Sequence, residues 1–287
     1  MSRVSEVARR RIIGTLGRAH IAGTEVADAI CVARREVAGG ALTTLGPWAS
    51  REDPPTVVAD RYVCAIAAIE ADAVPATLSV KLPDLHFDIG LVARVLSAAA
   101  EHHVAIHLDS LSIASQERTM ALLPELVAAH PGLGVTLPGR WARSLPDARD
   151  VLRLGVRSVR VVKGQWCDPH DPHRNPADGM QAVIDVLSGA EAEVEVATHD
   201  EAVARRATDH LSACGTPWRL GQLYGMPRID RSHLAGSEIK VLVYVPFGTA
   251  YLPYALRKAL RHPTILGWAA RDLVRAHASR QDREPAR

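Results

Sequence analysis

Residues 134–163, GVTLPGRWARSLPDARDVLRLGVRSVRVVK, hold two short β-branched or apolar runs, Gly134–Leu137 and Ser158–Val162, around a stretch, Leu145–Leu154, whose apolar residues recur at helical spacing. Strand, crossover helix, strand is the repeating unit of a parallel sheet. The same alternation runs along the chain. Further strands are predicted at Ala41–Leu45, Thr77–Leu82, Val104–Leu108, Glu193–Ala197, Trp218–Gln222 and Lys240–Val245, which makes eight in all. Candidate helices between them include Asp88–His103, Ser115–Ala129, Gly179–Leu187 and Asp200–His210, each with Leu, Val and Ala at i, i+3 and i+4 and long enough for a crossover.

Eight such strands in one medium-sized chain favour closure into a (βα)8 barrel of the TIM type over an open doubly wound sheet. The length of 287 residues agrees, since at about 150 residues per domain it corresponds to about two domains or one large barrel. Hydrophobic residues make up 47% and charged residues 23%, a balance that excludes disorder throughout. Thirty-four Lys and Arg against 32 Asp and Glu leave a formal charge of +2, which excludes the basic excess of a dedicated nucleic-acid binder.

Cys31, Cys64, Cys167 and Cys214 lie far apart without Cys-x-x-Cys spacing, so neither a disulfide scaffold nor a structural zinc site is expected, and a reducing cytoplasm fits. The start, MSRVSEVARRRIIGTLGRAHIAG, carries a basic run without a following apolar segment, and no run of about 18 apolar residues occurs, so the chain reads as neither secreted nor membrane-spanning. Residues 1–40 form an N-terminal helical segment: two helices, closed by Gly39-Gly40, are expected to cover one end of the barrel. The barrel domain spans 41–275, and residues 276–287, polar and without periodicity, form a flexible tail. No internal repeat is visible.

In such a barrel the chemistry sits where the strands end. The predicted strand ends carry Lys81, Asp109, Arg160 with Lys163, Thr198-His199-Asp200, and Gln222 with Tyr224. Charges there are costly to bury unpaired, and convergence on a ligand would compensate them. A plainer reading is open: Arg160 and Lys163 pair with carboxylates inside the barrel, and Thr198 or Asp200 merely caps a helix. Gly164 permits close backbone approach, as glycine does near phosphates or rings. Cys167, His170, Asp171 and His173 in CDPHDPH are ligand types, but two prolines restrict the loop and no metal site is expected. After the last strand, Tyr251, Tyr254, Lys258 and roughly Arg261 share one side of a helix, with Arg257 about 100° from Lys258. Two tyrosines on that side suggest a partly dry pocket for a carboxylate rather than a solvated basic face.

These stretches resemble the proline dehydrogenase family. SVRVVKGQWCD is similar to its Arg-hydrophobic-Val-Lys-Gly-Ala-Tyr run, VATHD to its Ala-Thr-His-Asn step, and VLVYVPFG with YLPYALRK to its closing strand and Tyr-x-x-Arg-Arg helix. LSVKL, HLDSLS, QLYGM and RAHIAGTEVADA find counterparts in the same order. The resemblance implies a distorted (βα)8 barrel with the C-terminal helix over its mouth, holding FAD and oxidising L-proline to 1-pyrroline-5-carboxylate. It implies Arg160 near the flavin N5, and Lys163, Gly164, Thr198 and His199 holding the cofactor. Lys81, Arg257 and Lys258 would surround the substrate carboxylate, while Asp109, Trp166, Tyr224 and Tyr254 shape the pocket. Catalytic roles fall on Arg160, Lys81 and Asp109. Such a reaction asks for positioning more than for acid–base machinery.

The chain departs from the family pattern at several points. Lys258 stands for the second arginine, Arg261 for a glutamate, and Pro138 for the glutamine expected beside the flavin. Gln165 replaces an alanine, Trp166 a tyrosine, Leu111 an acid, and Arg219 the acid before QLYG. Plain L-proline is the default substrate, and a modified proline or another cyclic amino acid is the alternative. A barrel that binds ligand without catalysis, acting as a scaffold, is a second alternative. Phosphate or metal chemistry without flavin is a third, supported only by the cations and CDPHDPH. The resemblance leaves open the electron acceptor, peripheral membrane contact for electron transfer, and homo-oligomerisation.

Overall fold

The computed structural model describes residues 21–50, 52–234 and 239–248. Eight strands, β1 (Leu42–Pro47), β2 (Ala76–Val80), β3 (Ile106–Leu108), β4 (Gly134–Pro138), β5 (Ser158–Val162), β6 (Glu193–Ala197), β7 (Trp218–Leu223) and β8 (Val241–Phe247), close into one barrel in chain order. Every neighbouring pair is parallel, and β1 meets β8 from Leu42↔Leu242 to Pro47↔Phe247. All strand C-termini therefore open on one face.

The helices are α1 (Val26–Ala38), α2 (Pro55–Ala71), α3 (Ile89–Glu101), α4 (Ile113–Ala129), α5 (Ser144–Arg153), α6 (Pro176–Leu187) and α7 (Glu201–Ala213). Their starts follow local chemistry. Asp88 and Asp200 accept from the backbone of Leu91 and Val203, and Asn175 caps α6 with Pro176 behind it, which satisfies N–H groups that have no helical partner. The apolar core lies between barrel and helices, where alternate strand residues such as Leu78, Val80, Val135, Leu137, Val159, Val161, Val194 and Val196 are buried. Each contributes about 1.5–3 kcal/mol. The intervening residues face inward, and many of them are polar.

The predicted strands are all present, β5 and β6 with the predicted bounds and the others with shifted ends. β2 stops at Val80 rather than Leu82, because the Lys81 N–H is taken by the Tyr62 hydroxyl at 3.0 Å and Leu82–Leu85 form a 3-10 turn around Pro83. β3 starts at Ile106 rather than Val104, and β8 runs on to Phe247 through Pro246. The helix α2, which the spacing of apolar residues does not single out, fills the first crossover.

The N-terminal segment corrects one expectation. α1 does not cover an end of the barrel but packs along its flank against β8 and β1, where regular alternation would put the helix after β8. The chain ahead of it is pinned by Ala22 N–H on the Pro246 carbonyl, 2.9 Å, and Gly248 N–H on the Gly23 carbonyl, 3.0 Å. The Gly39-Gly40 break is present, with Gly40 at φ +82°. The other N-terminal helix, the C-terminal helix with Tyr251, Tyr254, Arg257, Lys258 and Arg261, and the tail 276–287 lie outside the described residues. Among the described residues no helix is long and apolar enough to cross a membrane.

Candidate active site

Polar residues in phase on successive strands project into the barrel. Arg160 of β5, 4% exposed, is held from three strands: Nε donates to Glu195 Oε1 at 2.7 Å, Nη1 to Asp109 Oδ1 at 3.0 Å and Nη2 to Thr44 Oγ1 at 3.2 Å. Its guanidinium carbon lies 5.2 Å from the centre of the Tyr244 ring. Burial works against the charge, but Glu195 and Asp109 outweigh it and keep the guanidinium protonated.

Asp109, just past β3, gathers the centre of the network. Its carboxylate accepts from Ser79, from Tyr244 Oη at 2.9 Å and from Thr136 Oγ1 at 3.1 Å, and Lys81 Nζ stands 3.9 Å away. Burial alone would raise its pKa, but Arg160 and Lys81 overcome that and hold it at about 2. Tyr244 is pushed well above its ordinary value, first by burial and then by Asp109, and stays a neutral donor. The Thr136 hydroxyl spends its proton on Asp109, so it accepts from His107, whose Nε2 lies 3.0 Å away and therefore carries the hydrogen. Burial, then Arg160, keeps that imidazole neutral.

Lys81, 2% exposed, donates to the Pro47 carbonyl at 2.8 Å and lies 5.2 Å over the Trp48 ring. A buried ammonium with one close hydrogen bond has donors to spare for an anion at the mouth. Toward the other end of the barrel, Arg219 of β7 donates to Glu193 at 2.8 Å and Ser158 at 3.0 Å and approaches Glu195 Oε2 at 3.5 Å. The cation that departs from the family pattern is thus matched by two glutamates of β6.

The rim between β4, β5 and β6 holds a second group. Gly164, at φ +87°, packs so closely that a Cβ would fall 2.9 Å from Pro138 Cβ. Arg140 Nε donates to the Gly164 carbonyl at 3.2 Å and its Nη1 reaches Cys167 Sγ at 3.4 Å. Lys163 Nζ pairs with Asp200 at 2.7 Å, and the same Asp200 caps α7. Thr198 Oγ1 accepts from the Asp200 N–H at 3.1 Å. His199 is engaged by backbone on both nitrogens: Nε2 accepts from Leu223 N–H at 2.9 Å, so Nδ1 carries the hydrogen toward the Pro227 carbonyl at 3.0 Å. In CDPHDPH, Asp168 ties two loops together by accepting from Ala142 and His170 N–H groups, both at 2.9 Å.

The structure thus brings together Lys81, Asp109 and Arg160 in the barrel, and Pro138, Lys163, Gly164, Thr198 and His199 around its rim. Trp166, on the loop after β5, is 46% exposed, while its carbonyl accepts from Trp141 Nε1 at 2.9 Å. Tyr224 N–H binds the Tyr244 carbonyl at 2.9 Å. Tyr254, Arg257 and Lys258 lie outside the described residues. Sequence reasoning missed Thr44, Trp48, Ser79, His107, Thr136, Arg140, Glu195 and Tyr244. For the barrel residues a signal existed: polar residues at every second position, Ser79 and Lys81, His107 and Asp109, Ser158 and Arg160, Glu193 and Glu195.

No protein-family model matches the chain. It is 24% identical over 276 residues to proline dehydrogenase 1 of Bacillus subtilis strain 168, covering 90% of each chain. It is 26% identical over 283 residues to the proline dehydrogenase of Deinococcus radiodurans, covering 91% of this chain and 90% of that one. Among solved structures it resembles proline utilization A from Bdellovibrio bacteriovorus inactivated by N-propargylglycine, with a TM-score of 0.76 and 15% identity over 85% of this chain and 32% of that one. Proline utilization A from Corynebacterium freiburgense gives a TM-score of 0.68 and 14% identity, over 94% and 34%. The chain spans about a third of the length of those two solved chains, and at such identities the likeness is one of fold.

Proposed function

We propose that this chain, a divergent relative of the proline dehydrogenases, oxidises L-proline or a proline-like cyclic amino acid to the cyclic imine, with FAD as electron acceptor. The observation that carries this reading is the meeting of Lys81, Asp109 and Arg160 at the end of the barrel where the strands finish, in a chain collinear with those enzymes over nine-tenths of its length.

The donor set fits the cofactor on two counts. Arg140 and Lys163, with the Gly164 backbone beside them, place two cations at the ends of neighbouring strands, the chemistry a diphosphate requires. Arg160 spends one N–H of each nitrogen inside the barrel, and two of its five donors have no hydrogen-bond partner among the described residues. Pro138, Thr198 and His199 would line the cofactor, His199 with its ring face, since both its nitrogens are engaged. When bound, FAD would supply a two-electron acceptor that takes a hydride at N5.

The residues of the chain do the rest. Lys81 offers its ammonium to the substrate carboxylate, and Arg257 and Lys258 are proposed to complete that grip. Asp109 anchors Lys81 and Arg160 and so fixes where both cations point. Trp166, Tyr224 and Tyr254 are proposed to wall the ring. Tyr244 and His107 stay neutral, which suits a reaction that needs a deprotonated amine held in place rather than a proton moved.

A second reading, a barrel that binds ligand without oxidising it, has one observation in its favour: Glu195 and Asp109 already match the charge of Arg160. One experiment separates the two. Purified protein supplied with FAD should show a flavin band at about 450 nm, and L-proline or an analogue should bleach it anaerobically. Binding of the amino acid without bleaching supports the second reading. Protein that retains no FAD rejects the first.

A further inference from the structure

Six charges alternate along the barrel interior. Glu193 meets Arg219 at 2.8 Å, Arg219 meets Glu195 at 3.5 Å, Glu195 meets Arg160 at 2.7 Å, Arg160 meets Asp109 at 3.0 Å, and Asp109 meets Lys81 at 3.9 Å. One end of this series is the mouth. The other is the N-terminal end of the barrel, where Arg219 lines a cavity of about 470 Å³. Glu195 is 1% exposed and stands between two guanidiniums, one oxygen bonded to Arg160 and the other without a hydrogen bond among the described residues.

We propose that Glu195 is a positioning residue for Arg160, and that its carboxylate, shared with Arg219, sets how much positive charge Arg160 presents to a bound flavin. This rests on the function proposed above and goes beyond it, because it assigns the tuning to a pair of residues on β6 and β7. Glu195 holds Nε sideways while Asp109 and Thr44 hold the two terminal nitrogens, so the guanidinium plane cannot turn. A cation beside the ring favours its electron-rich reduced form, and a carboxylate at 2.7 Å in a dry interior cancels much of that effect. Arg219 competes for the same carboxylate and restores part of it.

The two partners of this arrangement therefore act in opposite directions. Glu195→Gln keeps an acceptor oxygen for Arg160 Nε and removes the counter-charge, so it raises the flavin reduction potential. Arg219→Gln leaves the whole of Glu195 to Arg160, so it lowers the potential. A role confined to holding the fold together would weaken both variants alike and move neither potential in this pattern.

The test is the midpoint potential of FAD-loaded protein, measured by anaerobic dye-equilibrated titration without substrate. Glu195→Gln should favour reduced over oxidised flavin at least tenfold, about 30 mV for a two-electron couple, and Arg219→Gln should shift the potential downward. Equal potentials, or shifts of the same sign, overturn the proposal and leave the proposed function standing. Wild-type protein that takes up no FAD overturns both. If Glu195→Gln does not fold, Arg219→Gln decides alone: a lowered potential supports the shared counter-ion, and an unchanged or raised one rejects it.

Discussion

Across the barrel interior, from the last strand to the end of the third, the Tyr244 hydroxyl donates to the Asp109 carboxylate at 2.9 Å. The phenol also lies over Gly46, where a Cβ would collide with it, so its position is fixed from both sides. Tyr244→Phe keeps the ring against Arg160 and removes one donor to a buried charge. Stability should fall by about 1.5–3 kcal/mol, the worth of a hydrogen bond to an ionised group, and the Asp109 pKa should rise. Urea denaturation of the variant at pH 7 checks the first. No loss would mean that the carboxylate is satisfied by Ser79 and Thr136 alone.

Acid should unfold the protein in two stages. The folded His107 is held far below 6.5 while an unfolded histidine takes a proton there, so stability is full above that pH and declines below it, by about 1.4 kcal/mol per pH unit. His130, lowered by partial burial, adds in the same direction. Asp109 titrates near 3.8 unfolded and near 2 folded, so its contribution, about 2 kcal/mol, is complete above the first value and lost between the two. Urea midpoints followed from pH 8 down to the folded Asp109 value of about 2 should show both slopes. His107→Gln, which can still donate to Thr136, should flatten the upper one and leave the lower. Identical slopes between pH 6.5 and 5 would place the imidazole in a charged state inside the fold.

Gly221 of β7 is where Glu195 finds its room. A Cβ there would stand 2.5 Å from Glu195 Oε1 and 3.1 Å from Ala197 Cα. Gly221→Ala must therefore push the carboxylate off Arg160, breaking a buried pair at a cost of about 3–5 kcal/mol. Adding Glu195→Ala to that variant clears the space, so the double substitution should be far less than additive. Additive losses in thermal melts would show that the backbone shifts instead of the side chain.

The alternation of strand and helix was legible because outward strand residues such as Val159, Val161, Val194 and Val196 are mostly apolar, with Thr43 and Gln222 as exceptions, and that is the face the helices bury. Lys81, Asp109 and Arg160 were legible as charges at strand ends. Their partners were not. A strand such as EVEVA reads equally as half-exposed, and only closure of the barrel tells that Glu193 and Glu195 point toward Arg219 and Arg160 rather than toward water. Helix α2 escaped notice because PTVVADRYVCAIAAIEA is apolar on most sides and shows no stripe. Arg140 could be found only through folding, since it reaches Gly164 and Cys167 from the neighbouring strand end.

Trp166 offers a separation of stability from function. Its side chain stands out at the rim while its backbone carbonyl, not its indole, carries the bond to Trp141. Trp166→Ala should change stability by no more than about 0.5 kcal/mol and raise KM for a cyclic amino acid severalfold with kcat little altered. Steady-state kinetics beside a thermal melt test both halves. An unchanged KM would show that the indole lies outside the substrate pocket.

Lys81 allows the sharpest kinetic test. Its ammonium rests between the Pro47 carbonyl, the Trp48 ring and Asp109, and methionine of similar length can keep the packing over Trp48 while removing the charge. In Lys81→Met, Asp109 loses one of the two cations that hold its pKa down, so the acid limb of the stability curve should move to higher pH. With L-proline, kcat/KM should fall by about 2–4 kcal/mol, mostly through KM, on the scale of a truncated charged pair. Pyrrolidine, which has no carboxylate, should show little difference between the two proteins. Equal losses with both amines would mean that Lys81 shapes the barrel rather than gripping the acid group.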